Sequence, residues 1–216
     1  MKRRRSLLLL LTSVIAVGVS LWLGLVWFHQ PTKQPPAISG RFFSDPRTLK
    51  DFTLLDHTGS AFHRDRLQGK WTFIYFGYTW CPDVCPLTLA TLNQVQQRLA
   101  QEDFDNDNAY LLISVDPDRD TPERLGAYTA YFNPKFVGAT GTPEELVEIT
   151  QQCLVVYRRS PDQGGAVNYY IDHSSNVILI DPQARLRAIF RPPHTAEALV
   201  ADFRKIRAYA QANPHR

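Results

Sequence analysis

The sequence contains no internal repeat and no long low-complexity tract, which excludes a repeat architecture and a largely disordered chain. A concentrated basic face is missing as well. The net charge is +3, and removing the four positive charges of residues 2–5 leaves −1 for the rest of the chain. Because binding to nucleic-acid phosphates needs clustered basic side chains, we expect no nucleic-acid partner.

Ionisable side chains are absent from residues 6–28. A helix of this length extends roughly 34 Å, which is enough to span a bilayer. A cleaved signal peptide also begins with a basic segment and an apolar run, but this run is longer than usual and no small-residue cleavage pattern follows it. We therefore expect a cytoplasmic basic end at 1–5 and an uncleaved transmembrane anchor at 6–28.

The absence of an extended transit region rich in Arg and Ser favours a bacterial inner membrane over a mitochondrial one. The basic end would stay in the cytoplasm, which places the rest of this single-pass protein on the periplasmic side. Three prolines in residues 29–40 predict a short, stiff linker. With 44% hydrophobic and 21% charged residues overall, the remainder has the composition of one folded domain, which we place at 41–212.

Strand and helix patterns alternate across this domain. A small hairpin with its turn near Gly59 is predicted first, and residues 71–78 then form a β-branched and aromatic run typical of a central buried strand. Further helices are predicted with Thr121 and Thr142 as N-caps and Pro122 and Pro143 at the first helical positions, and a late hairpin and a final amphipathic helix follow. This order predicts a thioredoxin-like α/β fold, with a mixed sheet flanked by helices.

Two cysteines, Cys81 and Cys85, lie between the predicted central strand and the next helix. Because Pro82 and Pro86 disfavour helical backbone at the residues before them, we expect the helix to begin at Pro86 with Cys85 as its N-cap. The positive end of a helix favours a thiolate. A pair separated by three residues can hold a metal or close a disulfide, and soft thiolates select Cu(I) or zinc.

His173 is the candidate third ligand, because in a thioredoxin-like layout the loop entering the strand near Asn176 packs beside the helix that follows the cysteines. From local sequence alone, a structural or solvated histidine is the commoner outcome. The other histidines are expected to be solvated: His29, His57, His63, His194 and His215.

Three further groups are open to two interpretations. Asp116, at the end of a predicted strand, either faces the site and tunes a metal ligand with its carboxylate or caps the turn at Pro117, whereas Asp118 and Asp120 are expected to be solvated or paired with Arg119. Cys153 is expected to be a small buried hydrophobe rather than a resolving thiol. The loop 160–168 with Tyr169 and Tyr170 forms either a docking lip or an ordinary loop.

Four segments together resemble the Sco/SenC family of copper chaperones. They are YFGYTWCPDVCP at 75–86, SVDPDRDT at 114–121, GATGT at 138–142 and Asp-His at 172–173, and the resemblance covers about residues 38–210. It implies a thioredoxin-like domain on one membrane helix, binding copper through Cys81, Cys85 and His173. It also implies a role in maturing the binuclear copper site of cytochrome c oxidase subunit II. Trp80 and the segment 163–165 depart from the family pattern without removing a ligand.

Two functions remain open on these residues. In the first, the protein is a chaperone that receives copper, as Cu(I) or Cu(II), from a periplasmic donor and passes it to subunit II or a similar copper-site apoprotein. In the second, Cys81 and Cys85 are the redox-active pair of a thiol–disulfide oxidoreductase that reduces the apoprotein, with Cys81 as nucleophile and His173 dispensable. Either function needs a periplasmic thiol reductant. A peroxidase is a weaker third candidate.

Overall fold

The computed structural model describes residues 15, 17–22, 34–102, 107–160 and 169–214. The chain divides into two units, Met1–Gln34 and Pro35–Arg216. In the first unit the described residues 15 and 17–22 are helical, while the basic end 1–5, most of the predicted anchor and linker residues 29–33 lie outside the described part. None of the described helices combines the length and the apolar character needed to cross a membrane.

The second unit is built on an eight-stranded sheet and a separate two-stranded ribbon. Its strands are β1 Arg41–Thr48, β2 Thr53–Asp56, β3 Ala61–His63, β4 Trp71–Gly77, β5 Asn108–Ser114, β6 Val137–Thr140, β7 Tyr157–Arg159, β8 Ile171–His173, β9 Val177–Ile180 and β10 Arg185–Phe190. The sheet order is β1-β10-β9-β4-β5-β6-β2-β3, and β7 pairs with β8 in the ribbon. Strands β4, β5 and β6 are parallel and their other neighbours are antiparallel, so the sheet is mixed, as predicted.

Within the described part of this unit, four α-helices accompany the sheet. They are α1 Val84–Ala100, α2 Pro122–Phe132, α3 Pro143–Gln152 and α4 Ala196–Ala212, and a short 3-10 helix covers Arg64–Leu67. The predicted N-caps are confirmed at α2 and α3. Thr121 accepts a hydrogen bond from the Arg124 amide at 3.3 Å, and Thr142 forms a complete capping box with Glu145.

Strand β4 is the central strand, as its composition predicted. All seven residues are buried, and β4 lies between β5 and β9. Its aromatic side chains contact the last helix: the rings of Trp71 and Phe73 lie 5.6 and 5.3 Å from the ring of Phe203 in α4. Because close-packed core side chains cannot shift independently, the carboxyl end of β4 is a rigid base for the residues that follow.

The sequence missed four strands and misplaced one helix start. Strands β1 and β6 and the ribbon β7–β8 were not predicted, since each is short or irregular and is defined by its pairing partner. His173 is therefore the last residue of β8, opposite Tyr157, rather than part of a loop. Helix α1 begins at Val84, two residues before the predicted Pro86.

Candidate metal centre

The two cysteines lie at the junction between the central strand β4 and helix α1. Strand β4 ends at Gly77, and the turn that follows is closed by a 3.4 Å hydrogen bond from the Cys81 amide to the Tyr78 carbonyl oxygen. Cys81 is half-buried, whereas Cys85, the second residue of α1, is fully buried. The two cysteines therefore differ in access, and Cys81 is the more accessible of them.

The prediction that Cys85 is the N-cap of α1 is wrong, and the reason is local. Asp83 occupies that position, but its side chain makes no capping hydrogen bond. The Cys85 amide instead donates to the Cys81 sulfur at 3.5 Å. Pro86 is accommodated in the first turn because the first amide groups of a helix have no acceptor within the helix. The Cys81 sulfur thus receives an amide that the helix leaves unpaired.

Close approach of the Cys85 sulfur to the strand requires a glycine at position 77. A Cβ atom added at Gly77 would lie 2.9 Å from the Cys85 sulfur and 2.9 Å from a ring carbon of Tyr75. Both distances are shorter than van der Waals contact allows. The absence of a side chain at Gly77 therefore creates the space in which Cys85 sits.

His173 reaches the cysteines from the ribbon. Its Nε2 atom lies 3.4 Å from the Cys85 sulfur, and the ligand atoms of Cys81, Cys85 and His173 all lie within 4.8 Å of one another. Tyr75 and Tyr78 hold the imidazole edge-on, each with its ring centre 5.9 Å away. The Tyr75 hydroxyl also donates to the Cys85 sulfur at 3.6 Å. Tertiary structure thus collects two thiols and one imidazole at one point.

The two thiols are electrostatically unequal. A hydrogen bond from the Cys85 thiol, together with one from His173, lowers the pKa of Cys81 to about 4 despite partial burial. The pKa of Cys85 is raised well above its ordinary value, because its proton is held in that hydrogen bond and because the group is buried. At neutral pH the pair therefore shares one proton, with the thiolate on Cys81.

The Asp116 carboxylate contacts Arg119 and Tyr169, and neither of these is a candidate metal ligand. It forms a 2.5 Å ion pair with Nε of Arg119 and accepts a 2.5 Å hydrogen bond from the Tyr169 hydroxyl. The turn at Pro117 is closed by the backbone of Asp116 and not by its side chain, since the Asp116 carbonyl oxygen accepts hydrogen bonds from the amides of Arg119 and Asp120. The carboxylate itself is engaged with the segment that leads to His173.

The prediction that Asp120 is solvated or paired with Arg119 is wrong, whereas Asp118 is exposed as expected. Asp120 is fully buried, and burial raises its pKa. Its carboxylate accepts from the amide and hydroxyl of Thr79 at 2.9 and 2.5 Å and from the Ser114 hydroxyl at 2.5 Å. Asp120 therefore ties the turn before Cys81 to the end of β5. No feature of the sequence around Asp120 distinguishes a buried carboxylate from a solvated one.

Among the histidines, the expectation of solvation is confirmed for His63, which is exposed. It is wrong for His57 and His194. Nδ1 of His57 accepts from the Gly138 amide at 3.0 Å, and Nε2 of His194 lies 2.7 Å from the Ser175 carbonyl oxygen, with burial lowering its pKa. Both are structural histidines. His29 and His215 lie outside the described residues.

The structure also tests the predictions for Cys153 and for the docking lip. Cys153 is fully buried, and burial raises its pKa to about 12, which confirms the expectation of a small buried hydrophobe. Tyr169 is 5% exposed and therefore cannot form an accessible lip, although Tyr170 is exposed. Residues 161–168 of the loop lie outside the described residues.

A thiol pair at the strand–helix junction of a mixed sheet, approached by an imidazole, defines a thioredoxin-like domain with a candidate sulfur–nitrogen metal centre. The chain belongs to the SCO1/SenC family, whose model matches residues 43–208. It is 34% identical to the SCO2-like protein of Rickettsia prowazekii over 191 residues, which are 88% of this chain and 92% of that protein. The SCO2-like protein of Rickettsia conorii is 38% identical over 135 residues, 62% of this chain but only 65% of the relative's length.

The predicted thioredoxin-like fold of the domain is confirmed by a solved structure. The crystal structure of Arabidopsis thaliana ScoI with copper bound matches with a TM-score of 0.68 and 32% identity, over 74% of this chain and 98% of that one. The mixed sheet flanked by helices is therefore shared with a copper-bound Sco protein.

Proposed function

We propose that this protein is a copper chaperone that holds one copper ion as its cargo on the sulfurs of Cys81 and Cys85 and the imidazole of His173. One observation carries the proposal: these ligand atoms lie within 4.8 Å of one another, although His173 is 88 positions from Cys85. The printed description of the Arabidopsis relative, with copper bound, supports the choice of metal.

The donor set fits copper better than a structural zinc ion. Thiolates select soft ions such as Cu(I), and an imidazole is a ligand that copper also accepts in the oxidised state. A structural zinc site normally uses four protein ligands, whereas the described residues offer one group of three. Three ligands leave a position to which a thiolate or imidazole of the recipient can bind during transfer.

The protonation of the thiols also suits reversible loading. Metal binding requires deprotonated sulfur, so a site that already carries a thiolate releases fewer protons on loading. The low pKa of Cys81 supplies that thiolate at neutral pH. Cys85 gives up its proton when the metal arrives, and transfer to the recipient reverses this change.

The remaining assignments of the proposal rest on the family and the sequence. The copper-binding domain is residues 41–212, joined through the linker 29–40 to a membrane anchor at 6–28, with the basic end 1–5 in the cytoplasm. We place the domain on the periplasmic side of a bacterial inner membrane. The recipient is cytochrome c oxidase subunit II or a similar copper-site apoprotein, and a periplasmic copper donor and thiol reductant supply the metal and the electrons.

A second function, thiol–disulfide exchange, is favoured by the unequal thiols. The Cys81 thiolate attacks a disulfide of the substrate and forms a mixed disulfide, while the leaving sulfur takes a proton. Cys85 then loses its proton and attacks the Cys81 sulfur, which releases the second substrate thiol and leaves Cys81 and Cys85 oxidised. No bond forms or breaks at His173 in these steps, and its hydrogen bond only helps to lower the pKa of Cys81. His173→Ala should therefore impair copper binding while thiol–disulfide exchange continues, which distinguishes the two functions.

The test is an anaerobic copper titration of the full chain, purified with detergent and reduced, followed by X-ray absorption. We expect one copper ion per chain, bound by two sulfurs and one nitrogen. His173→Ala should lose the nitrogen and weaken binding, whereas His63→Ala, at an exposed histidine, should match the wild type. Failure of the wild type to retain copper, or an unchanged site in His173→Ala, would refute the chaperone function.

A further inference from the structure

His173 is carried by a segment with little support of its own. Strand β8 pairs with β7 in a two-stranded ribbon that is separate from the main sheet. An isolated two-stranded hairpin is marginally stable in water. Contacts outside the ribbon must therefore determine where the imidazole lies relative to the thiols.

Tyr169, four residues before His173, makes several of these contacts. Its side chain is buried, and its hydroxyl donates to Asp116 at 2.5 Å. Its carbonyl oxygen accepts from Nη1 of Arg119 at 3.1 Å. The guanidinium of Arg119 also lies 3.6 Å from the centre of the Tyr169 ring. Side chain and backbone of Tyr169 are thus both held by one acid–base pair.

The pair that holds Tyr169 is itself buried. The side chains of Arg119 and Asp116 are 8% and 2% exposed, and they contact each other at 2.5 Å. Removing two charges from water costs several kcal/mol per ion, so a buried pair is weak evidence of a stabilising role. A positional role accounts better for this pair, since Oδ1 of Asp116 and Nη1 of Arg119 both form hydrogen bonds with Tyr169.

The same guanidinium lies beside the segment that carries the cysteines. Arg119 is 5.7 Å from the ring centre of Tyr78 and 5.6 Å from that of Trp80, the residue immediately before Cys81. Tyr78 in turn accepts a 3.3 Å hydrogen bond on its hydroxyl from the Ile171 amide in β8. Arg119 therefore contacts both chain segments that supply the candidate ligands.

We infer that Asp116, Arg119 and Tyr169 form a buried clamp that positions His173 against the thiol pair and so determines whether the imidazole joins the copper site. The three are positioning residues, because they act on the metal through His173. This inference rests on the proposed copper site. Loss of the clamp should convert the site into a two-sulfur site without removing either cysteine.

A double-mutant cycle tests the clamp, with copper affinity measured by competition titration of the reduced full chain. Tyr169→Phe removes one hydroxyl and keeps the ring. Loss of such an outer contact typically weakens metal binding by about 10- to 100-fold. We expect a loss in this range, with a reduced nitrogen contribution in X-ray absorption. In a His173→Ala background the same substitution should change the affinity less than twofold, because the ligand it positions is gone.

Two further variants complete the design. Arg119→Lys keeps the charge opposite Asp116 but loses the planar fork that also reaches the Tyr169 carbonyl. It should weaken copper binding as Tyr169→Phe does, and it provides the test if Tyr169→Phe fails to fold. Tyr170→Phe, at the exposed neighbouring tyrosine, should bind copper like the wild type. Urea unfolding of each variant reports any general loss of stability.

The outcomes separate the two levels of inference. If the wild type binds copper and His173→Ala weakens it, but Tyr169→Phe and Arg119→Lys have no effect, the clamp is refuted and the copper site stands. Equal losses with and without His173 would also refute the clamp, because they indicate a purely structural effect. If the wild type does not bind copper, or His173→Ala binds it unchanged, both the proposed function and the clamp fail.

Discussion

The Nε2 atom of His173 lies 3.4 Å from the sulfur of Cys85, although 88 positions separate the two residues in the chain. Cys85 is fixed in the first turn of α1 against the rigid end of β4, whereas His173 belongs to a small ribbon outside the main sheet. The two halves of the candidate site therefore differ in how firmly the fold holds them. This difference leads to distinct expectations for variants on each side.

Gly77→Ala should lower both stability and copper affinity by displacing Cys85. The added methyl group would meet the Cys85 sulfur at 2.9 Å, and overpacking of a buried site typically costs about 1–3 kcal/mol. Urea unfolding should show a loss of this size, together with weaker copper binding. Gly126→Ala in α2 is the matched control, because its methyl group would meet the side chain of His57 at 3.5 Å, an ordinary contact distance. This variant should be neutral or slightly stabilising. Equal behaviour of the two variants would contradict the steric argument.

Cys81 should remain reactive in mildly acidic solution. Because its pKa is lowered to about 4, the thiolate persists above that pH and is lost as the pH falls through it. The rate of alkylation by iodoacetamide, measured on the reduced metal-free protein, should stay nearly constant from pH 8 to pH 6, whereas an ordinary thiol would slow by roughly tenfold per pH unit below its pKa of about 8.5.

Mass mapping of the labelled peptide provides the control for this experiment. Cys85 and Cys153, both buried and both with raised pKa values, should remain largely unlabelled in the folded protein. A steep fall in the Cys81 rate between pH 8 and pH 6 would show that the thiolate is not stabilised.

Asp120→Ala should loosen the turn that leads into Cys81. The substitution leaves the buried Ser114 hydroxyl and the Thr79 amide without their acceptor, and each buried group left unsatisfied costs about 1–3 kcal/mol. Thermal or urea unfolding should register this loss, and copper affinity should fall with it. Asp118→Ala, two residues away and exposed, should change stability by no more than about 0.5 kcal/mol. Similar effects of the two variants would refute the anchoring role of Asp120.

Sequence reasoning was accurate where the signal was local. The central strand β4 and the caps at Thr121 and Thr142 were predicted because hydrophobic runs and Thr-Pro-Glu segments act over a few residues. It failed where pairing decides structure, as in the ribbon β7–β8, whose strands have three residues each. A three-residue segment carries too little periodicity to be recognised before its partner is known.

The same distinction between local and long-range determinants holds for the candidate site. That Cys81 and Cys85 lie together where β4 is followed by α1 can be inferred from the chain alone, because residues only four positions apart cannot separate far. The thioredoxin-like layout and the family resemblance identified His173 as the candidate third ligand. Tertiary packing was needed to show that the imidazole reaches the Cys85 sulfur and that Asp120 is buried rather than solvated. It also directed Asp116 to Tyr169 rather than to the ligands. These arrangements depend on contacts between segments tens of residues apart, whose free energy depends on the packing of the whole domain and leaves no pattern along the chain.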